Sequence, residues 1–312
     1  MSELRQDPIT GRNVIIAEGR AARPNEFVSV ATKAATPCPF CVGNESLTPD
    51  AILSYPRDRK DAAWQVRVVP NKYPAVQWAA AAVGTHEVII ESPEHIVSLS
   101  ELSDEQAALA FRAYQERLQA LGQDERLGFT FIFKNARAAG GASLEHLHSQ
   151  LIGMEFVPPE IQLQTSKAGE YRVLHGRCIF CDLLADEADG NRVVSESEHF
   201  IVFCPYASRF AYEMWVVPKA HEQSFEDASA EQSNELAKIT VQAVRKLEAC
   251  LDSPAYNYWI HTAPFRMSRH DDFHWHIEIA PRVARLAGFE LGSGCFINPV
   301  APEHAAERLR NV

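Results

Sequence analysis

The amino-acid sequence repeats one set of features in two halves, and this repeat constrains the fold more than any other property. Each half carries a Cys-x-x-Cys pair, then a single histidine, then a His-x-His. The offset between the halves is 126 residues at the single histidines, His95 and His221, and 128 residues at the His-x-His. Because chance rarely holds such a register over several features, the repeat indicates two copies of one structural unit.

Helix signals also occur at matching places in the two halves. Ser103 and Ser229 are each followed three residues later by glutamine, which is the capping-box pattern of a helix N-terminus. Apolar residues at helical spacing then predict helices over residues 107 to about 121 and 236 to about 251, and strand-like runs follow at 129–133 and 256–260. We therefore predict an α+β fold of two homologous modules, each an antiparallel sheet with a long helix.

The boundary between the modules is expected near residues 158–170. The sequence there, Pro-Pro-Glu-Ile-Gln-Leu-Gln-Thr-Ser-Lys-Ala-Gly-Glu, has the composition of a loop. This places an N-terminal domain at residues 1–160 and a C-terminal domain at residues 161–312.

Composition and charge exclude several classes of function. Of the 312 residues, 46% are hydrophobic, which is enough for a sizeable core. The net charge of −11 argues against nucleic acid as a partner, because duplex binding depends on lysine and arginine against phosphates. No run approaches 18 consecutive apolar residues, and the first residues lack the apolar centre of a signal peptide. We expect no membrane span and a cytoplasmic location.

The cysteines suggest metal centres. There are seven, an odd number, and two Cys-x-x-Cys pairs in a cytoplasmic chain favour metal ligation over disulfides. Two thiolates and two imidazoles form a closed tetrahedral shell for zinc. Buried free thiols are the alternative at either site, and His270 or His276 could replace His274 as the last ligand of the second. We expect two zinc sites, the first with Cys38, Cys41, His95 and His146 and the second with Cys178, Cys181, His221 and His274.

A glycine turn precedes the first His-x-His. The segment at 135–150 reads Asn-Ala-Arg-Ala-Ala-Gly-Gly-Ala-Ser-Leu-Glu-His-Leu-His-Ser-Gln. Glycines let backbone N–H groups approach an anion closely, and a strand places side chains two residues apart on one face. We interpret the segment as a phosphate cradle with His148 as the nucleophile, because a neutral imidazole can attack phosphorus near pH 7. The alternative is that His146 and His148 are both metal ligands or buried core residues.

This segment closely resembles the active-site segment of the galactose-1-phosphate uridylyltransferase family, a branch of the histidine-triad superfamily. The family's segment ends His-Pro-His-x-Gln; here it ends His-Leu-His-Ser-Gln, so the spacing is kept and the proline is absent. The resemblance implies histidine-triad-like modules and a nucleotidyl-His148 intermediate. Histidine-triad hydrolases have a third histidine where Gln150 stands. Because an amide donates hydrogen bonds but cannot act as a general acid or base, Gln150 favours transfer over hydrolysis.

Further matches extend the resemblance over almost the whole chain. Arg-x-x-Arg-Pro at 20–24 implies phosphate contacts, which suit guanidinium forks. Pro-Asn-Lys-Tyr-Pro at 70–74 resembles the nucleoside-binding Pro-Asn-Asp-Phe-Pro, with lysine replacing aspartate, and Ala-Gly-Phe-Glu at 287–290 resembles the hexose-binding Val-Gly-Tyr-Glu. The predicted catalytic residues are His148, Gln150 and Ser143, and the predicted substrate-binding residues are Arg20, Arg23, Asn71, Tyr73, Asn135, Gly140, Gly141, Ala142, Phe289 and Glu290.

The second module is predicted to be catalytically degenerate. At 263–269 it has Ala-Pro-Phe-Arg-Met-Ser-Arg in place of the glycine turn, and Glu278 stands where the first module has Gln150. A carboxylate at that position would repel a phosphoryl group.

The expected reaction is a ping-pong transfer of a nucleoside monophosphate from a nucleotide sugar to a sugar 1-phosphate or to phosphate. Uridylyl transfer from UDP-glucose to galactose 1-phosphate is the first choice, and adenylyl transfer between ADP-glucose and phosphate is the second. A nucleotide-binding module without turnover is the alternative from another class. Members of the resembling family are commonly dimers, so the resemblance implies a homodimer.

Overall fold

The computed structural model describes residues 2–18, 37–56, 64–79, 81–188, 190–267 and 273–312. Two β-sheets organise these residues. Their strands are β1 (Glu3–Gln6), β2 (Asn13–Ile16), β3 (Leu53–Tyr55), β4 (Val66–Pro70), β5 (Gly84–Ile90), β6 (Phe129–Ala136), β7 (His148–Met154), β8 (Val193–Glu196), β9 (Phe200–Phe203), β10 (Met214–Pro218), β11 (Tyr256–His261), β12 (His276–Pro281) and β13 (Phe296–Asn298).

Ten of these strands form one large antiparallel sheet in the order β3-β4-β5-β7-β6-β11-β12-β10-β9-β8. The sequence predicts an antiparallel sheet in each half, and the structure joins the strands of both halves through the β6–β11 pair, in which Asn135 lies opposite Asn257. Pairing these strands removes two exposed sheet edges, whose unpaired N–H and C=O groups are costly. The remaining strands form a small sheet in which β13 runs parallel to β2.

Six α-helices complete the described structure, and two of them match the predicted long helices. The helices are α1 (Asp104–Gly122), α2 (Pro159–His175), α3 (Ile179–Glu187), α4 (Ala230–Leu251), α5 (Gly288–Ser293) and α6 (Pro302–Arg310). Among the described residues, none of these helices is both long and apolar enough to span a lipid bilayer.

The serine caps form as predicted, with one difference between the halves. Ser103 and Ser229 each accept a hydrogen bond from the backbone N–H three residues on. Gln232 closes the second capping box, but the side chain of Gln106 instead donates to the carbonyl oxygens of Gln65 and Glu91. Helix α1 therefore lacks the second hydrogen bond of the capping box. The Gln106 side chain instead binds the backbone at the ends of β4 and β5.

The predicted loop at 158–170 is wrong, because α2 occupies it. Pro159 lies in the first turn, where its missing N–H has no intrahelical partner to lose. Ile161 and Ala168 are buried, Ala168 packs in one cluster with second-half residues such as Ile179, and the helix is capped by Gly176 in the left-handed region. Polar residues with good helix propensity gave this segment the composition of a loop.

The large sheet separates the core from the site. Helices α1 and α4 pack together on one face, over residues such as Ile132, Leu151 and Ile277. Because side chains alternate along a strand, His148 and Gln150 lie on the opposite face from Leu151. The predicted nucleophile is thus on the face that α1 and α4 leave uncovered.

Candidate active site

A cleft of about 660 Å³ lies over β4, β5 and β7 on the face that carries His148. Its wall includes apolar side chains such as Phe40 and Val88. Five residues predicted from the sequence line it, and they come from two separate segments of the chain: Asn71, Tyr73, Ser143, His148 and Gln150.

His148 is the first residue of β7, and its ring is fixed from two sides. Nδ1 donates to the carbonyl oxygen of His146 over 2.7 Å, which leaves the lone pair on Nε2. Phe40 packs edge-on against the ring, with centroids 5.2 Å apart. Burial lowers the pKa of His148, so the imidazole is neutral near pH 7. This is the protonation state that nucleophilic attack requires.

His146 lies just before the strand, so the two histidines do not share one strand face. The strand begins at His148, and the preceding backbone bonds to a loop, with Leu147 N–H donating to Ile96 O over 2.7 Å. The His146 ring turns to the cysteine pair while its Nε2 donates to Ser92 O over 2.8 Å. The His146 side chain therefore joins the Cys/His cluster and does not share a strand face with His148.

A buried polar cluster lies beneath the nucleophile, and the sequence analysis missed it. Lys134 on β6 donates to the carboxylate of Glu91 and, over 3.0 Å, to the carbonyl oxygen of His148. Glu91 also accepts from Ser149 over 2.6 Å and from Tyr114. Lys134 and Glu91 each follow a run of apolar strand residues, which was the available signal for a buried ion pair. The cluster anchors the backbone of the nucleophile to the core.

The glycine turn differs from the predicted cradle. The N–H groups of Gly140 and Ala142 bond to Arg137 O, and that of Gly141 bonds to Ala138 O. A Cβ at Gly140 would lie 2.9 Å from the carbonyl oxygen of Tyr256, so glycine is required there for close packing on β11. The short helical turn closes on itself, so these three N–H groups are not presented to an anion in this conformation.

Asn257 on β11 fixes this turn from the second half of the chain. Its side chain donates to Gly140 O and to Asn135 Oδ1, both over 2.7 Å. Asn135, Gly140, Gly141 and Ala142 thus flank the cleft, whereas Ser143 lines it.

The remaining predicted binding residues lie elsewhere. Arg20 and Arg23 fall outside the described residues. Phe289 and Glu290 are in α5, which does not line the cleft of the same chain. Phe289 is 47% exposed, and the Glu290 carboxylate accepts from Ala287 N over 3.0 Å.

The first set of predicted metal ligands converges. The four ligand atoms of Cys38, Cys41, His95 and His146 lie within 4.8 Å of one another. Sulfur-to-Nδ1 distances are 3.3 Å for Cys41–His95 and 3.6 Å for Cys41–His146. Burial lowers the pKa of His146 to about 4, so the ring is neutral and free to ligate at pH 7.

The second set repeats this geometry. The ligand atoms of Cys178, Cys181, His221 and His274 also lie within 4.8 Å of one another. Cys181 Sγ is 3.4 Å from His221 Nδ1 and 3.7 Å from His274 Nδ1. His274 Nε2 donates to Pro218 O over 2.8 Å, just as His146 does to Ser92. His276 does not join this group, and His270 lies outside the described residues.

In the part of the chain that the structure describes, the second histidine of the other His-x-His is enclosed by neighbouring side chains. His276 is fully buried, with its ring stacked on Trp215 at 4.9 Å and on His261 at 4.6 Å between centroids. Glu278, at the position of Gln150, pairs with Arg209. These contacts enclose His276 and Glu278, and the catalytic degeneracy of the second half stays a prediction.

The chain matches known proteins over its whole length. The family model described as galactose-1-phosphate uridyl transferase, N-terminal domain, matches residues 1–158, and a model for a domain of unknown function, DUF4921, matches residues 84–312. The chain belongs to the galactose-1-phosphate uridylyltransferase family. It is a nucleotidyltransferase, as the sequence resemblance predicted.

Relatives and solved structures agree on this placement. An ADP-glucose phosphorylase of Arabidopsis thaliana is 34% identical over 99% of this chain and 93% of its own length. A galactose-1-phosphate uridylyltransferase of Thermotoga maritima is 29% identical over 99% and 98%. The crystal structure of an Arabidopsis thaliana ADP-glucose phosphorylase with bound ADP-glucose superposes with a TM-score of 0.91 at 32% identity, covering 100% of this chain and 99% of that one. The α+β fold with a large antiparallel sheet is confirmed.

Proposed function

We propose that the protein transfers a nucleoside monophosphate from a nucleotide sugar to an acceptor through a nucleotidyl-His148 intermediate. The observation that carries the proposal is the His148 ring, whose Nδ1 is bonded to the His146 carbonyl and whose Nε2 is left free at the cleft. Such a ring is a competent nucleophile.

The first half-reaction forms a bond from His148 Nε2 to the α-phosphorus. The bond from that phosphorus to the bridging oxygen breaks, and its electron pair leaves with hexose 1-phosphate. In the second half-reaction an acceptor phosphate oxygen attacks the same phosphorus and releases the imidazole. Gln150 and Ser143 line the cleft beside His148 and are the proposed donors to the phosphoryl oxygens, where negative charge is greatest in the transition state.

Adenylyl transfer between ADP-glucose and inorganic phosphate is our first candidate for the reaction. The sequence alone places this reaction second, and two findings support placing it first. The ADP-glucose phosphorylase relative is 34% identical, against 29% for the Thermotoga maritima uridylyltransferase. Lys72 also lines the cleft where the uridylyltransferase pattern has aspartate. Uridylyl transfer from UDP-glucose to galactose 1-phosphate is the second candidate, because the Thermotoga maritima relative with that name is matched over 98% of its own length.

Isotope exchange separates these candidates. The protein is incubated with ADP-glucose and labelled glucose 1-phosphate, or with UDP-glucose and the same labelled compound, with no second acceptor present. A ping-pong enzyme must exchange label into its own nucleotide sugar. We expect faster exchange with ADP-glucose. Faster exchange with UDP-glucose would favour the second candidate, and no exchange with either, in a protein that binds both, would leave only a nucleotide-binding role.

Both Cys/His clusters fit zinc. A tetrahedron with Zn–S near 2.3 Å and Zn–N near 2.0 Å has sulfur-to-nitrogen edges of about 3.5 Å. The measured edges of 3.3–3.7 Å in the two clusters match this value. When bound, zinc would supply structural cross-links rather than reaction chemistry, because four protein ligands close its shell. We expect about two zinc ions per chain by metal analysis.

We also propose that the two halves are diverged copies of one histidine-triad-like module, with catalysis in residues 1–160, and that the protein is a homodimer. The repeated ligand geometry supports the first statement. The second is supported by Phe289 and Leu291, which are 47% and 74% exposed on α5, away from the cleft of their own chain. In a dimer, α5 would complete the sugar site of the neighbouring copy. Sedimentation measurements of the molecular mass test this.

A further inference from the structure

The inference concerns His86, which the sequence analysis did not single out. His86 lies in β5 and is 9% exposed. Strand pairing places it opposite Ile152 on β7, two residues beyond Gln150. Its ring contacts the backbone N–H of Ala75 and the side chains of Asn71 and Gln150. It therefore connects two cleft residues that come from different parts of the chain.

The hydrogen-bond partners of the His86 ring determine which nitrogen carries its proton. The backbone N–H of Ala75 donates to Nδ1 over 3.1 Å, and a backbone N–H can only donate, so Nδ1 carries the lone pair. A neutral imidazole has one N–H group, which must then be at Nε2. Burial lowers the pKa of His86, which disfavours a second proton.

The Nε2 proton selects the orientation of the Gln150 amide. Gln150 Oε1 is 2.9 Å from Nε2 and accepts this proton. Asn71 does not compete for this proton, because its oxygen accepts from Tyr73 N over 2.8 Å and its amide nitrogen can only donate. The 3.1 Å contact between that nitrogen and Nε2 is therefore not a hydrogen bond in this tautomer. With its oxygen held by His86, Gln150 turns its NH₂ group away from that ring. In the part of the chain that the structure describes, no protein group accepts from this NH₂, and Gln150 lines the cleft.

We propose that His86 is a positioning residue that holds the Gln150 amide with its NH₂ group toward the transferring phosphoryl group. The inference rests on the proposed function. The two ends of a glutamine amide are nearly equal in size, so packing does not distinguish them. A flipped amide would direct its oxygen at the negatively charged phosphoryl oxygens. The Ala75 N–H fixes the His86 tautomer, and this tautomer fixes the donor that Gln150 offers.

Substitutions at His86 separate this role from a structural one. His86→Phe keeps the ring volume and removes both nitrogens, whereas His86→Gln keeps an acceptor for Ala75 and a donor for Gln150. In single-turnover labelling by ADP-glucose, we expect His86→Phe to slow nucleotidyl transfer by about tenfold, the value of one hydrogen bond. His86→Gln should recover most of this loss. Affinity for ADP-glucose should change by less than about threefold in both, and Thr85→Ala, on the other face of β5, is the matched control.

A double-mutant cycle gives the sharper readout. Gln150→Ala alone should slow transfer by on the order of 10²–10³, and adding His86→Phe should slow it by less than about twofold more, because the group that His86 orients is gone. Full additivity would overturn the proposal. Nitrogen NMR of the wild-type protein tests the geometry without any turnover, and a proton found on Nδ1 of His86 would also overturn it. Because this signal does not depend on activity, a wild-type protein that fails to label at all refutes the proposed function separately.

Discussion

The two His-x-His segments share one backbone arrangement and have opposite surroundings. In each, the second histidine directs Nδ1 to the carbonyl oxygen of the first, over 2.7 Å at His148 and 3.1 Å at His276. His148 lines the cleft, whereas His276 is enclosed by Trp215 and His261. In both segments the His-x-His backbone fixes the tautomer of the second histidine. The neighbouring strands determine whether its Nε2 is accessible to a substrate.

The residue two positions after the second histidine also differs in its surroundings between the two halves. Gln150 is a neutral amide at the cleft, with its oxygen held by His86. Glu278 is buried, and although burial raises its pKa, the charge of Arg209 outweighs this and holds the pKa well below the usual range. The first half presents a hydrogen-bond donor to a ligand, and the second half uses the same position for an internal ion pair.

Replacing the two second histidines should give the largest contrast. We expect His148→Ala to reduce exchange between ADP-glucose and glucose 1-phosphate by on the order of 10⁴–10⁶, because neither half-reaction can bypass the intermediate. His276→Ala should stay within about tenfold of wild type in the same assay. In His148→Gly, a nucleotide phosphorimidazolide should restore transfer to phosphate, which shows that the variant is folded. Comparable losses of exchange activity in His148→Ala and His276→Ala would contradict the proposed difference between the two halves.

Removing one cysteine from each metal centre should separate stability from activity. Cys38→Ala and Cys178→Ala should each lower the thermal unfolding temperature and the zinc content, because a structural site contributes folding free energy. At a temperature where both variants remain folded, Cys38→Ala should also lose labelling, since His146 adjoins the nucleophile, and Cys178→Ala should retain it. A Cys38→Ala protein with wild-type stability would contradict the structural role.

The buried Lys134–Glu91 ion pair beneath β7 should contribute more to the free energy of unfolding than an exposed ion pair does. Lys134→Met leaves the Glu91 carboxylate buried without its partner, and we expect a loss of about 3–5 kcal/mol in the free energy of unfolding. Lys219→Met, which breaks an exposed pair with Glu196, should cost less than about 1 kcal/mol. Urea unfolding measures both. Equal costs would show that the cluster under His148 does not anchor the strand.

The residue two positions after the second histidine should also matter in one half and not in the other. Gln150→Ala should slow labelling by about 10²–10³, the usual cost of one donor to a transition-state oxygen. Glu278→Gln should leave labelling unchanged and reduce stability, because Arg209 keeps Glu213 but loses one of its two carboxylate partners. A Gln150→Ala variant with wild-type labelling would remove Gln150 from the mechanism.

The features that the sequence predicted are those that depend on local periodicity and on the internal repeat. The helix caps at Ser103 and Ser229, the strands around β6 and β11, and both Cys/His ligand sets could be read from spacing and repetition. The repeat did not show that both halves share one sheet, because strand order across halves depends on tertiary pairing. The helix α2 was missed because its polar residues have loop composition.

The part of the site that depends on tautomers and buried partners could not be predicted. His86 is a lone histidine in an apolar strand, and its proposed role depends on a turn residue, Ala75, and on Gln150, which is 64 residues away. The glycine turn reads as an anion cradle, but three of its N–H groups bond within the turn. Packing against Tyr256 explains Gly140 without any ligand.

Locating the covalent intermediate tests the central claim most directly. Protein incubated with ADP-glucose carrying label on the α-phosphorus is quenched at high pH, digested, and its labelled peptide is sequenced. We predict close to one label per chain, on the peptide that contains His148, and none on the peptide that contains His276. Label on His276, or turnover with no covalent label, would contradict the account.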